Sequence, residues 1–162
     1  MFNFVITNQQ REGNYMVEIN TTYTGGLHCK AVHKPSGAVI ETDAPTDNRG
    51  KGESFSPTDL LAASLAVCYL TTMGIAAEDR GIDMKGTTCR IEKHMSHDSP
   101  RRVKRLAAEI IFKISVPFDK RGVLEAVAIH CPVAKSLSSD IDIDLKLHFP
   151  DGQDMEDHTH HV

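Results

Sequence analysis

The chain has 162 residues, 40% hydrophobic and 25% charged, the composition of an ordinary single globular domain rather than of a disordered or fibrous chain. A chain of this length buries roughly 70% of the surface its unfolded form exposes, so no disulfide or metal staple is needed and a disulfide scaffold is excluded. The 18 Lys and Arg are outnumbered by 22 Asp and Glu, for a net charge of -4, which offers no positive field to a phosphate backbone and excludes nucleic acid as an expected partner.

Met1 to Asn14 has no basic cluster ahead of an apolar run, so no secretory leader is expected and the cytoplasm, with reduced thiols, is the expected compartment. Tyr15 to Thr24, Leu27 to His33 and Ala38 to Thr42 read as strands of an antiparallel sheet, turned at Gly25-Gly26 and at Pro35-Ser36-Gly37. A Gly- and Asp-rich stretch from Thr42 to Gly52 leads to Ser56-Pro57-Thr58-Asp59. There Ser56 suits a helix N-cap, Pro57 the first helical position, and Asp59 both a capping box and the positive helix end. The helix runs to about Asp79, with Gly81 placed to end it, roughly 34 Å at 1.5 Å per residue. Its nearly apolar stretch, Leu60 to Leu70, falls short of the ~20 residues that cross a bilayer and is read as a buried helix. Leu61, Ser64, Leu65, Cys68, Thr71, Thr72 and Ile75 recur at helical spacing as the expected inward stripe.

Met84 to His97 and Val103 to Pro117 read as a second hairpin turned at His97-Asp98-Ser99-Pro100. Asp119 to Ile129 and Pro132 to about Leu137 read as helices, and Ile141 to Phe149 alternates as a closing strand. The order predicts an α+β fold. One domain covers 1–162, with its body at about 15–149 and a polar tail at 150–162.

The four cysteines, Cys29, Cys68, Cys89 and Cys131, form no CxxC pair, which argues against a zinc ribbon or thioredoxin-type motif. Pro132 sets Cys131 beside a helix N-terminus, an environment that lowers a thiol pKa and makes a reactive or resolving thiol. Cys68 sits mid-helix among apolar residues, where burial raises a thiol pKa unless a cation or donor compensates. A lone cysteine on an apolar helical stripe is more often core than catalyst, and Cys29 and Cys89, in strands, are read as structural.

The segment from Gly52 to Cys68, GESFSPTDLLAASLAVC, and the segment Cys131-Pro132-Val133-Ala134-Lys135-Ser136-Leu137 resemble the OsmC/Ohr family of osmotically inducible and organic hydroperoxide resistance proteins. Thr42-Asp43-Ala44-Pro45, Pro100-Arg101-Arg102 and the element order match as well, so the resemblance spans about Tyr15 to Phe149. It implies antiparallel sheets around a long central helix, an intertwined homodimer with sites built from both chains, and thiol peroxidase chemistry on organic hydroperoxides in oxidative-stress defence. In that scheme Cys68 attacks the peroxide and becomes a sulfenic acid, Cys131 condenses with it to a disulfide, and a dithiol, often lipoyl-type, resets the pair. No metal or organic cofactor is required by it.

Peroxidase members of that family carry an Arg just after the first Gly-rich turn and a Glu ten residues before the helix cysteine. Here those places read Leu27-His28-Cys29 and Thr58, with Asp59 adjacent and Glu53 upstream. His28, Lys30, Arg49 or Arg101 is left to supply the cation, His28 first by position, and Glu53 or Asp59 of the partner chain the carboxylate. Asp59 lies about 180° around and roughly 14 Å along the helix from Cys68, out of its reach in one chain. The second reading, favoured by the absent Arg and Glu, is an OsmC-like protein that binds a small molecule or senses redox state without efficient peroxidase activity.

His158, His160 and His161, with Asp154, Glu156 and Asp157, have metal-ligand chemistry but read as a disordered tail. The run Arg101, Arg102, Lys104, Arg105 reads as a solvated strand end. His130-Cys131 does not read as a hydrolase pair, since neighbours at a helix start rarely face one another and no Gly-rich oxyanion turn accompanies them.

Overall fold

The computed structural model describes residues 16–159, with the backbone alone for 156–159. Tyr15, expected to begin the first strand, and His160 and His161 lie outside the described residues. The chain divides between Ser56 and Pro57 into two compact units.

The first unit is an antiparallel meander of β1 (Ile19–Gly25), β2 (His28–His33) and β3 (Val39–Thr42). Tyr23 pairs with Cys29 and Ala31 with Ile40. Gly26 and Leu27 both have positive φ, 60° and 68°, the geometry of a two-residue turn whose twist matches the strands it joins. The Leu27 N–H donates to the Tyr23 hydroxyl at 3.2 Å, which helps hold a branched residue in that conformation. After β3 the chain forms a loop from Asp43 to Phe55, closed by the Asp43 N–H donating to the Phe55 carbonyl at 3.2 Å. Gly50 passes so close to Ala44 that a Cβ there would lie 1.6 Å from the Ala44 carbonyl oxygen, so no other residue fits without moving backbone.

The second unit starts with α1 (Pro57–Glu78), followed by β4 (Thr88–Met95), β5 (Val103–Ile111), α2 (Phe118–Ile129), α3 (Pro132–Ser136), β6 (Asp142–His148) and β7 (Met155–Thr159). Pro57 opens α1, and Gly81, at φ 65°, follows its end while the Ile82 N–H donates to the Ala77 carbonyl at 2.9 Å. The sheet order is β4-β5-β6-β7. β4 with β5 and β6 with β7 are antiparallel, whereas β5 and β6 are parallel. An all-antiparallel arrangement is thus corrected. The two helices between β5 and β6 form a crossover that returns the chain to the same end of the sheet, which a hairpin cannot do.

The tail expected to be disordered is also corrected, since residues 155–159 pair with β6, Met155 opposite Leu147 and Thr159 opposite Ile143. The turn before β7 is held by Arg121. This side chain is only 2% exposed, donates to the carbonyls of Val116 and Gln153 at 3.0 Å each, pairs with Asp151, and lies 4.1 Å from the Phe149 ring.

α1 buries Ala62, Leu65, Ala66, Tyr69, Met73, Ala76 and Ala77, alongside a core that includes Leu106, Ile110, Leu124, Leu145 and Leu147. Of the expected stripe only Leu65 is fully buried. Leu61, Cys68 and Thr72 are half-buried, and Ser64, Thr71 and Ile75 are exposed. The helix is apolar nearly all round, with no polar face to fix its orientation by sequence, so packing of its small alanines against neighbours decides which side turns in. Val67 and Ile75 remain 62% and 59% exposed, so the helix is buried on one side rather than throughout. Its mean hydropathy of 1.9 over an 18-residue window makes α1 long and apolar enough to cross a membrane by length and composition alone, although Leu65, Tyr69 and Met73 are core residues of its own unit.

Candidate thiol site and its polar neighbours

Cys68 lies past the middle of α1, half-buried against the core, and α3 packs on the same helix. Cys131 is the N-cap of α3, extended at φ -63° and ψ 146°, and Pro132 takes the first helical position as its sequence dictates. The Ala134 N–H donates to Cys131 Sγ at 3.3 Å, so the sulfur occupies the place of a capping oxygen. Cys131 and Cys68 share a side-chain hydrogen bond, and both are free thiols. Two cysteines separated by 62 intervening residues are therefore brought together by the packing of α3 on α1.

The expectation of a low pKa at Cys131 is overturned. Burial pushes its thiol up to about 11; the Ala134 N–H opposes this, and the hydrogen bond with Cys68 adds to it. At 1% exposure the sulfur has lost nearly all its water. A five-residue helix with the N–H groups of Ala134 and Val133 at the sulfur does not replace that solvation. Cys89 is likewise raised to about 11 by burial, as suits a structural cysteine.

The four supporting candidates fall into two polar groups. In the second unit the Lys93 ammonium donates to Thr58 Oγ1 at 2.9 Å and to Asp59 Oδ1 at 2.5 Å, with Lys93 mostly buried. Lys93 was not singled out by sequence. Its place on β4, 34 residues from Asp59, gives no local signal of the contact. In the first unit His28 Nε2 lies 3.2 Å from Glu53 Oε2 and 3.6 Å from Asp43 Oδ1, and His28 Nδ1 lies 3.0 Å from the Gly26 carbonyl. Asp43 Oδ2 accepts the N–H groups of Lys51 and Glu53 at 3.1 and 3.0 Å. The Glu53 N–H is the chief cause holding the Asp43 carboxyl below its ordinary pKa, with burial opposing and His28 assisting. Sequence marked Asp43 only as part of the Thr42-Asp43-Ala44-Pro45 motif.

Within the second unit a groove of about 410 Å³ is lined by Thr72, Ile75, Ala76 and Asp79 of the α1 region with Val127 and His130 at the end of α2. Thr72 donates its hydroxyl to the Cys68 carbonyl at 2.9 Å, and His130 directly precedes Cys131, so the groove adjoins both cysteine-bearing segments. His130 itself turns back on α2, its Nδ1 2.8 Å from the Ala126 carbonyl.

The family model for OsmC-like protein matches residues 50–146. Among solved structures the chain is similar to a candidate osmotic stress induced and detoxification response protein from Psychrobacter arcticus 273-4. The two share 44% identity and a TM-score of 0.79 over 85% of this chain and 99% of that one. The fold is also that of an organic hydroperoxide resistance protein OsmC from Legionella pneumophila, at 17% identity, TM-score 0.68, and coverage of 85% and 99%. The organic hydroperoxide resistance protein OhrB of Bacillus subtilis shares it as well, at 16% identity, TM-score 0.62, and coverage of 82% and 98%. Among curated proteins none matches the chain.

Proposed function

Since the chain belongs to the OsmC-like protein family, we propose that it is a cysteine-based peroxidase that reduces organic hydroperoxides in the cytoplasm, acting as a homodimer. The observation that carries this reading is the hydrogen bond between the thiols of Cys68 and Cys131. A sulfur oxidised at Cys68 has a second thiol already in place. The Cys68 thiolate attacks the distal peroxide oxygen, the O–O bond breaks, and the alcohol leaves with a proton, giving Cys68 sulfenic acid. The Cys131 sulfur then attacks Cys68, water departs, and a disulfide forms. An external dithiol supplies two electrons and two protons to restore both thiols.

The homodimer part of the reading is supported by the apolar side chains left exposed within each unit: Ile19, Tyr23, Val39 and Ile40 in the first, Val67 and Ile75 in the second.

The test is turnover of cumene hydroperoxide with dihydrolipoamide as the dithiol. The proposal expects turnover that Cys68→Ser abolishes. Cys131→Ser should stop multiple turnovers with the dithiol while leaving a single sulfenic acid at Cys68 that dimedone traps. A rate no greater than that of free thiol overturns it.

A second reading has its own observations. His28 and Glu53 pair with each other, and Thr58 and Asp59 are engaged by Lys93, while an apolar groove is lined by Thr72 of the helix that carries Cys68 and by His130, the residue before Cys131. These favour binding of a small apolar molecule with the thiols as redox sensors, and saturable binding that survives Cys68→Ser would distinguish it.

A further inference from the structure

The steps from thiol to disulfide draw on no side chain of one cluster: His28, Asp43 and Glu53, all in the first unit. His28 Nε2 lies 3.6 Å from Asp43 Oδ1 and 3.2 Å from Glu53 Oε2, and one donor atom from each residue falls within 4.8 Å of the other two. Two ligands on a tetrahedral ion with bonds of about 2.0 to 2.2 Å stand roughly 3.3 Å apart. Both His28 edges have that length.

Each ligand is oriented from behind. The Gly26 carbonyl can only accept, so at 3.0 Å it takes the Nδ1–H of His28 and leaves Nε2 facing the two carboxylates. Asp43 Oδ2 is fixed by the N–H groups of Lys51 and Glu53, which aims Oδ1 into the cluster. The Asp43 side chain is 0% exposed, and among the described residues Oδ1 accepts no hydrogen bond. A buried carboxylate oxygen without a donor is costly. A bound cation removes that cost. Lys51 Nζ approaches the other oxygen of Glu53, Oε1, at 3.8 Å and leaves Oε2 for the ion.

We propose that His28 Nε2, Asp43 Oδ1 and Glu53 Oε2 bind one divalent transition-metal ion of the Zn²⁺ and Co²⁺ kind, with a further position open to water. Two carboxylates neutralise the ion, and the imidazole selects against Ca²⁺ and Mg²⁺, which favour all-oxygen sites. The half-exposed Glu53 gives the ion a path from solvent. The proposal does not rest on the thiol reading and stands whether or not the protein is a peroxidase.

Co²⁺ is the probe, titrated into the full chain under reducing conditions and followed by calorimetry and by visible absorption. One equivalent should bind with an oxygen and nitrogen ligand spectrum free of thiolate charge transfer. His28→Ala and Glu53→Gln should each weaken it at least tenfold. Both side chains are partly exposed, so these variants test the site even if Asp43→Asn fails to fold. Replacing His158, His160 and His161 together by Ala, or Cys68 and Cys131 by Ser, should leave the equivalent in place. Binding that follows the tail histidines or the thiols overturns the proposal, as does the absence of saturable binding below millimolar Co²⁺. The alternative in which a protonated His28 bridges the two carboxylates gives that last result.

Discussion

The Cys131 thiol is hydrogen-bonded to Cys68 while its own sulfur accepts the Ala134 N–H at 3.3 Å. The donor favours the thiolate, but burial and the second thiol outweigh it and hold the group near 11. At neutral pH the Cys131 sulfur is held overwhelmingly as the thiol. Iodoacetamide labelling of Cys131, read residue by residue by mass spectrometry, should therefore rise about tenfold per pH unit from 7 to 10. A plateau reached by pH 8 would mean that the helix end governs this thiol after all.

The same burial makes stability fall in alkali. Cys89 and Cys131 are raised in the fold, so the folded chain holds their protons at a pH where the unfolded chain has released them. Their contribution is complete below the unfolded value near 9 and is lost as pH climbs through about 11. Urea midpoints measured across that window should drop less steeply in Cys89→Ala than in the natural chain. Equal slopes would show that Cys89 does not contribute.

The two sides of α1 make opposite predictions. Leu65 is fully buried in the core, so Leu65→Ala should lower the unfolding free energy by about 3 kcal/mol. Ile75 is 59% exposed, so Ile75→Lys should leave the circular dichroism of the chain unchanged. If the proposed homodimer covers that face, Ile75→Lys should move the sedimenting species from dimer toward monomer. An unchanged dimer would place the contact on other residues.

How far these features could be read in advance depends on how local their causes are. Pro57, Gly81, the Gly25-Gly26 turn and Pro132 act within a few residues, and the elements they bound form close to where the chain predicts them. The facing of α1 was not legible, because a helix with Val67, Ile75 and Leu65 on different sides offers no polar stripe to read. β7 was not legible either. Its residues are polar and it joins the sheet by backbone pairing with β6, which hydropathy does not record. The Cys131 position came from one proline, but its titration depends on the surrounding core. The Asp43 and Lys93 contacts arise from folds of 15 and 34 residues, beyond any motif window.

Lys93 links β4 to the start of α1. Its ammonium donates to both Thr58 and Asp59 from a mostly buried position, so removing it takes a cationic partner from a partly buried carboxylate. Lys93→Met should lower stability by about 2 kcal/mol, and the double variant with Asp59→Asn should recover part of the loss. Additive losses would mean that the two groups stabilise the fold independently.

Arg121 decides whether β7 stays on the sheet. Its guanidinium satisfies the Val116 and Gln153 carbonyls, pairs with Asp151 and covers the Phe149 ring, so a single side chain ties α2 to the turn that leads into β7. The bond from Arg121 is the chief cause holding the Asp151 carboxyl below the ordinary carboxylate range. A carboxyl depressed by folding contributes stability above its unfolded value and loses it as pH falls through its folded one. Acid should therefore loosen the turn, followed by amide exchange at Met155 and in the facing half of β6. Arg121→Met keeps much of the packing volume but removes every one of these donors, and should produce the same exchange at neutral pH. Lys is not an adequate replacement, since one ammonium cannot reproduce the planar fork that serves two carbonyls and a carboxylate while stacking on a ring. Protection of Met155 unchanged in Arg121→Met would show that β7 is held by its ladder to β6 alone.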